Sequence, residues 1–130
     1  ASSIPRWKTI QQTANIGIVI DGGGSAITTG KKGNIEIPWN CTINSATLLA
    51  DQTGSIVVDV WKDNYANYPP SGEDSICAAA KPTISASNKA QDTTLTGWST
   101  SLLKGQILGF NVDSVATITR ISVNLGVTKT

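Results

Sequence analysis

Between Trp61 and Tyr68 the chain reads Trp-Lys-Asp-Asn-Tyr-Ala-Asn-Tyr, followed directly by Pro69 and Pro70. Aromatic rings beside amides and carboxylates make an amphipathic set, because rings stack on apolar faces while amides and carboxylates bond hydroxyls. Trp61, Tyr65 and Tyr68 are therefore the candidate ligand-binding residues, with Asp59, Asp63, Asn64 and Asn67 as their polar partners. The competing reading is that the loop folds back and its rings cover the end of the domain. Four Trp, two Tyr and a single Phe are an odd balance for a core, since an indole carries a donor that wants a partner. Phe110 reads as core, Trp39 as core or interface, and Trp98 as a plug between layers.

Other chemistry finds little footing. The chain has no histidine, so hydrolase schemes on serine or cysteine lose their usual general base. Glu73 and Asp74 are adjacent in a loop, and Asp51, Asp59, Asp63, Asp92 and Asp113 fall in turns or at strand ends. No pair is singled out as the facing carboxylates that glycoside hydrolysis needs. An enzyme is not expected, and neither is a cofactor. Cys41 and Cys77 lack the close Cys or His spacing of a metal site and read as small buried hydrophobes, with a disulfide between them left open. The stretch from Gly24 to Lys32 departs from a phosphate-binding loop in its glycine spacing, and Ile35 and Ile37 predict a strand where a helix should follow.

Charge excludes further classes. The net charge is +1, with Lys and Arg scattered, so there is no electrostatic footprint for nucleic acid or anionic lipid. No apolar run approaches the roughly 20 residues of a membrane-spanning helix. Charged residues make up only 15 %, with Ser, Thr and Asn in their place.

The elements that must position these residues are strands. Ile16, Ile18 and Ile20 alternate with Gly17, Val19 and Asp21, and the run stops at a glycine turn over 22–24. A short pairing at 26–28 and a turn at Gly30-Lys31-Lys32-Gly33 are expected next. Ile35 and Ile37 make a strand, then Trp39, Cys41 and Ile43 another as far as a turn at Asn44-Ser45. Ala46, Leu48 and Ala50 oppose Thr47, Leu49 and Asp51 up to a turn at Asp51-Gln52-Thr53-Gly54. Ile56, Val58 and Val60 form one face of the following strand, with Asp59 and Trp61 on the other. From Lys62 to about Asn88 periodicity fails and a long loop is expected, with a helical turn conceivable at 75–80. Leu95 and Trp98 restore the pattern. Leu108, Phe110 and Val112 then mark one strand, and Ile121, Val123, Leu125 and Val127 the last. About eight short strands predict a two-sheet antiparallel β-sandwich, jelly-roll-like, with one long loop. The expected core is Ile56, Val58, Val60, Leu108, Phe110, Val112, Ile121, Val123 and Leu125.

Several stretches resemble a known family. Ala1-Ser2-Ser3-Ile4-Pro5-Arg6-Trp7 is similar to the end of a linker in bacteriophage fibre proteins. Gly33-Asn34-Ile35-Glu36-Ile37-Pro38, Leu48-Leu49-Ala50-Asp51, Gly54 through Lys62, Leu95-Thr96-Gly97-Trp98 and the ending from Ile118 to Lys129 resemble a C-terminal β-sandwich module of phage tail-fibre and other virion proteins. The resemblance implies residues 1–14 as a connector from a larger fibre protein and residues 15–130 as the β-sandwich domain. It further implies a virion structural role on the exterior of a phage tail or capsid, at the distal end of a fibre or spike, with other virion proteins as partners. A homotrimer and attachment to host surface polysaccharide are expected. The alternative within the same family is a purely architectural trimerisation or capsid-decoration module with no ligand.

Overall fold

The computed structural model describes residues 11–130. Its strands are β1 (Thr13–Asp21), β2 (Gly30–Glu36), β3 (Cys41–Asp63), β4 (Thr83–Asp92), β5 (Ser101–Leu102), β6 (Ile107–Ala116) and β7 (Arg120–Lys129). All pair antiparallel in one sheet of order β1-β7-β3-β6-β2, with β4 and β5 attached to β3. The all-β, sandwich-like fold expected from the alternation is therefore present. The connector read over residues 1–14 lies largely outside the described residues, and β1 already begins at Thr13, opposite Thr128.

The organising element is β3, which is 23 residues long. Its first part pairs with β7, from Cys41↔Lys129 to Ala50↔Ile121, and its last part pairs with β6, from Ser55↔Ala116 to Asp63↔Ile107. One strand thus belongs to both layers. β4 follows it along the other edge and breaks register between Leu49↔Lys89 and Gly54↔Ser87, where both strands bend. One layer is β1, β7 and the first part of β3 with the end of β4. The other is β2, β6 and the last part of β3 with the start of β4.

Two turns expected in this region are absent, for identifiable reasons. At Asn44-Ser45 the chain makes a bulge within β3, where the register to β7 shifts between Ile43 and Ser45, since one extra residue re-aims a strand without ending it. At Asp51–Gly54 the strand bends and continues. The bend is lashed to the turn between β6 and β7: Arg120 N donates to Asp51 Oδ1 at 3.1 Å, the Thr119 hydroxyl donates to Asp51 Oδ2, and Gln52 Nε2 donates to the Thr117 carbonyl. Gly54 is required at the crossing, because a Cβ there would lie 2.5 Å from the Ala116 carbonyl oxygen.

Further expectations are corrected on the same grounds. Gly30-Lys31-Lys32-Gly33 is the start of β2, with a register shift between Lys31 and Gly33. Residues 26–28 form no strand, although Ile27 is buried and its N–H donates to the Ile118 carbonyl at 2.9 Å. β4 occupies the end of the expected long loop and continues beyond it. As an edge strand it buries only Ile84 fully and Ser87, Ala90 and Asp92 in part, so it shows no alternation to read. No helical turn forms over 75–80, where Ile76 N–H instead donates to the Val60 carbonyl at 2.9 Å.

Ile56, Val58, Val60, Leu108, Phe110, Val112, Ile121, Val123 and Leu125 all lie in one buried cluster, each at 1 % exposure or less. Both layers contribute to it, which is what holds them together. Trp98 packs against this cluster and satisfies its indole N–H on the Ala80 carbonyl at 2.8 Å. Trp39 also packs against it, under the Lys129 ammonium. Cys41 and Cys77 are buried free thiols.

The candidate ligand-binding loop

The last part of β3 turns Val58 and Val60 inward, and Asp59 and Trp61 therefore leave on the outward face. Cross-strand pairing extends each of them into a row: Asp59–Asn111–Lys31 and Trp61–Gly109–Asn34, with Asp63–Ile107–Glu36 beyond. Gly109 leaves a trough in the middle row. A Cβ there would meet Lys31 Cε at 2.9 Å and Pro70 Cγ at 3.2 Å. The segment after β3 settles into this trough with Pro70 buried there, and Ile107, in the row beyond, is buried outside the main core.

Local hydrogen bonds shape the segment. Asp63 Oδ1 accepts from Asn64 N at 2.7 Å and from Asn67 Nδ2 at 3.3 Å, starting a 3-10 turn over Tyr65–Asn67. A second such turn, Gly72–Asp74, is closed by a capping box between Ser71 and Asp74. The chain then returns alongside β3 through a bridge between Ser75 and Trp61. Tyr65 is left 76 % exposed and Tyr68 51 % exposed. The phenol oxygen of Tyr68 accepts from Asn34 Nδ2 at 3.0 Å, and its ring stands 5.4 Å from the Lys31 ammonium. Lys31 Nζ also donates to the Pro70 carbonyl at 3.3 Å, and burial holds its pKa below the ordinary lysine value.

Asp59 fastens the return. It is 4 % exposed; Oδ1 accepts from Ser75 Oγ at 2.6 Å and from Val60 N at 2.9 Å, and Oδ2 accepts from Trp61 Nε1 at 3.0 Å. Lys81 Nζ lies 3.6 Å from Asp59 Oδ2 and 2.6 Å from Asp113 Oδ2. The hydrogen bond to Asp113 is the main reason its pKa is raised, and it carries a positive charge beside the buried carboxylate. A buried carboxylate with this many donors and a cation is satisfied rather than stranded.

The residues singled out in the sequence thus separate by depth. Tyr65, Tyr68, Asn64 and Asn67 are exposed on the loop. Asp63 is partly exposed and shapes its first turn. Trp61 is half-buried beneath it, with Gly72 against its ring. Asp59 lies inside, beyond reach of a ligand. Three residues that the sequence reading missed join the loop: Lys31 and Asn34 from β2, and Gln106, whose Nε2 donates to Asn64 Oδ1 at 3.4 Å. No local signal marks them, because Lys31 and Asn34 arrive through the pairing of β2 with β6, and Gln106 through that of β6 with β3.

Every aspartate in the chain accepts an intramolecular hydrogen bond. Beyond Asp51, Asp59, Asp63 and Asp74, Asp21 bonds Gly23 N, Asp92 bonds Thr94 N and Leu95 N, and Asp113 bonds Asn111 Nδ2 and Lys81 Nζ. Lys32 Nζ donates to Thr28 Oγ1 at 2.7 Å, and β2 follows Thr29 where a phosphate loop would continue into a helix. No family model, no curated protein and no solved structure matches the chain.

Proposed function

We propose that this domain is a non-enzymatic attachment module of a phage virion, displayed at the distal end of a tail fibre or spike and gripping surface glycans through the Tyr65–Tyr68 loop. The observation that carries the reading is Tyr65: a large ring held in water on a loop whose two ends are fixed, one by Asp63 and the other by Asp59. An exposed ring on a pinned segment loses little entropy on binding, and neighbouring amides supply adaptable hydrogen bonds. Asn64, Asn67 and Asn34 stand beside Tyr65 and Tyr68 in that role. Binding without catalysis fits the aspartates, each of which is engaged in local structure. The virion setting rests on the sequence resemblance described above.

A glycan array probed with the intact chain, followed by host-cell adsorption, tests the proposal. Tyr65→Ala and Tyr68→Ala are each expected to weaken binding about 5- to 30-fold, equivalent to about 1–2 kcal/mol per stacked ring, with unfolding midpoints close to the parent's for Tyr65→Ala. Undiminished binding by both variants would overturn the loop as the site. A chain that binds no glycan and no cell surface would overturn attachment altogether.

A further inference from the structure

The outward face of the other layer carries a second surface. Along β1 it presents Asn15, Gly17, Val19 and Asp21; along β7, Arg120, Ser122 and Asn124; along β3, Thr47, Leu49 and Asp51; and at the end of β4, Lys89 and Gln91. Eight of these twelve residues are uncharged. Val19 is 62 % exposed and Leu49 49 % exposed, and both sit in one cross-strand row, Val19–Ser122–Leu49–Lys89. The next row is Asp21–Arg120 on β1 and β7, with Asp51 bonded to Arg120 N on the β3 side. None of Asp21, Asp51, Lys89 and Arg120 takes part in an ion pair among the described residues.

The arrangement is self-complementary about one axis. Turn a second copy over by half a rotation about a line running along the strands between β7 and β3. Each β7 then faces the partner's β3, and each β1 faces the partner's β4. Arg120 meets the second copy's Asp51, and Asp51 meets its Arg120. Lys89 is one rung along from Asp21 and long enough to reach it, in both directions. Val19 and Leu49 of one copy alternate with those of the other in a single apolar strip, flanked by the methylene stems of the lysines. A twofold contact of this kind is isologous: one patch serves both copies.

We infer that this face is a twofold self-association surface whose occupant is a second copy of the chain. Size agrees with a reversible contact. At ordinary strand spacings the face measures about 19 by 25 Å, so two copies bury roughly 1,000 Å², at the lower end of specific interfaces and consistent with micromolar dissociation. The Thr119 hydroxyl and the Arg120 amide hold the Asp51 carboxyl below its ordinary pKa, so it stays charged across the neutral range. The pairing leaves the Tyr65–Tyr68 loop on the opposite layer free, and would double its display.

Sedimentation equilibrium of the intact chain, run from roughly 1 to 200 µM to bracket a micromolar constant, tests the inference. A monomer–dimer equilibrium is expected. Arg120→Glu should be monomeric, since it places like charges at both ends of the contact, and Asp51→Arg should be monomeric for the same reason. Mixed in equal amounts, the two variants should form a heterodimer, because every facing pair is again opposite in sign. Thermal unfolding of each variant shows whether it is folded. Lys89→Glu mixed with Asp21→Lys repeats the experiment on the outer pairs should Asp51→Arg fail to fold. A parent that stays monomeric, the homotrimer that the family resemblance implies in place of a dimer, or a dimer indifferent to Arg120→Glu would each overturn the surface; glycan binding by the monomeric variant is read separately and bears only on the loop.

Discussion

The hydroxyl of Ser75 donates to Asp59 Oδ1 at 2.6 Å, joining the far end of the exposed loop to the strand from which the loop departs. This bond closes a circuit through residues 60–74, so the placement of Tyr65 and Tyr68 depends on a carboxylate that no ligand touches. Asp59→Ala should leave the Ser75 hydroxyl, the Trp61 indole N–H and the Val60 amide short of an acceptor. Removing one partner from a buried ionic group typically costs 3–5 kcal/mol. Lys81 keeps Asp113 and is partly exposed, which places the expected loss at about 3 kcal/mol. Urea denaturation measures it, and amide exchange should show the loop opening before the sheet.

Phe110 tests the core that both layers share. It is fully buried, and Phe110→Ala should cost about 3–5 kcal/mol. Unfolding should remain a single transition when followed by tryptophan fluorescence and by far-ultraviolet dichroism, because strand β3 belongs to both layers.

Glycines separate steric from conformational demands. Gly54→Ala would push a Cβ against the Ala116 carbonyl oxygen at the bend of β3, and overpacking against backbone is expected to cost about 1–3 kcal/mol. Gly23 has φ of +70° with open space around it, so Gly23→Ala should cost only the left-handed penalty of about 1 kcal/mol. Thermal unfolding of the two variants should rank them in that order, and a reversed order would count against the close crossing at Gly54.

Alkaline pH addresses Cys77. Burial, the largest cause, pushes its thiol from 9.0 up to about 12, with the Asp59 carboxylate adding to the rise. The unfolded chain releases this proton near 9 and the folded chain does not. Stability from this group is thus complete below pH 9 and is lost as pH rises from 9 toward 12. The expected slope is about 1.4 kcal/mol per pH unit, superimposed on lysine titrations, and Cys77→Ala should show a correspondingly flatter profile between pH 9 and 11. Both thiols should resist alkylation in the native protein and react on unfolding.

Much of the fold is legible in the residues. The alternation of Ile121, Val123 and Leu125, and of Ile56, Val58 and Val60, locates central strands and their inward faces, because burial on one side of a pleat imposes a period of two. β4 is illegible for the converse reason: an edge strand with so few buried residues imposes no period. Asn44-Ser45 and Asp51–Gly54 have turn-like composition, yet long-range pairing to β7 and hydrogen bonds to Thr117, Thr119 and Arg120 carry the chain through both. At the loop, Tyr65, Tyr68, Asn64 and Asn67 are visible from composition. The burial of Asp59 is not, since it depends on Ser75 and Lys81 folding back over β3, and the arrival of Asn34 depends on a partner strand far along the chain.

Strand β1 has a consequence for biosynthesis. Among the described residues its only ladder is with β7, and the pairing runs from Thr13↔Thr128 to Asp21↔Arg120. The first of these strands to be synthesised must therefore wait for the last of them before its amides find their permanent partners, and β3 waits in the same way for β6 and β7. Contacts between such distant residues form slowly. Until β7 has emerged, the growing domain carries Ile16, Ile20, Ile43 and Leu48 without the strand that pairs beside them.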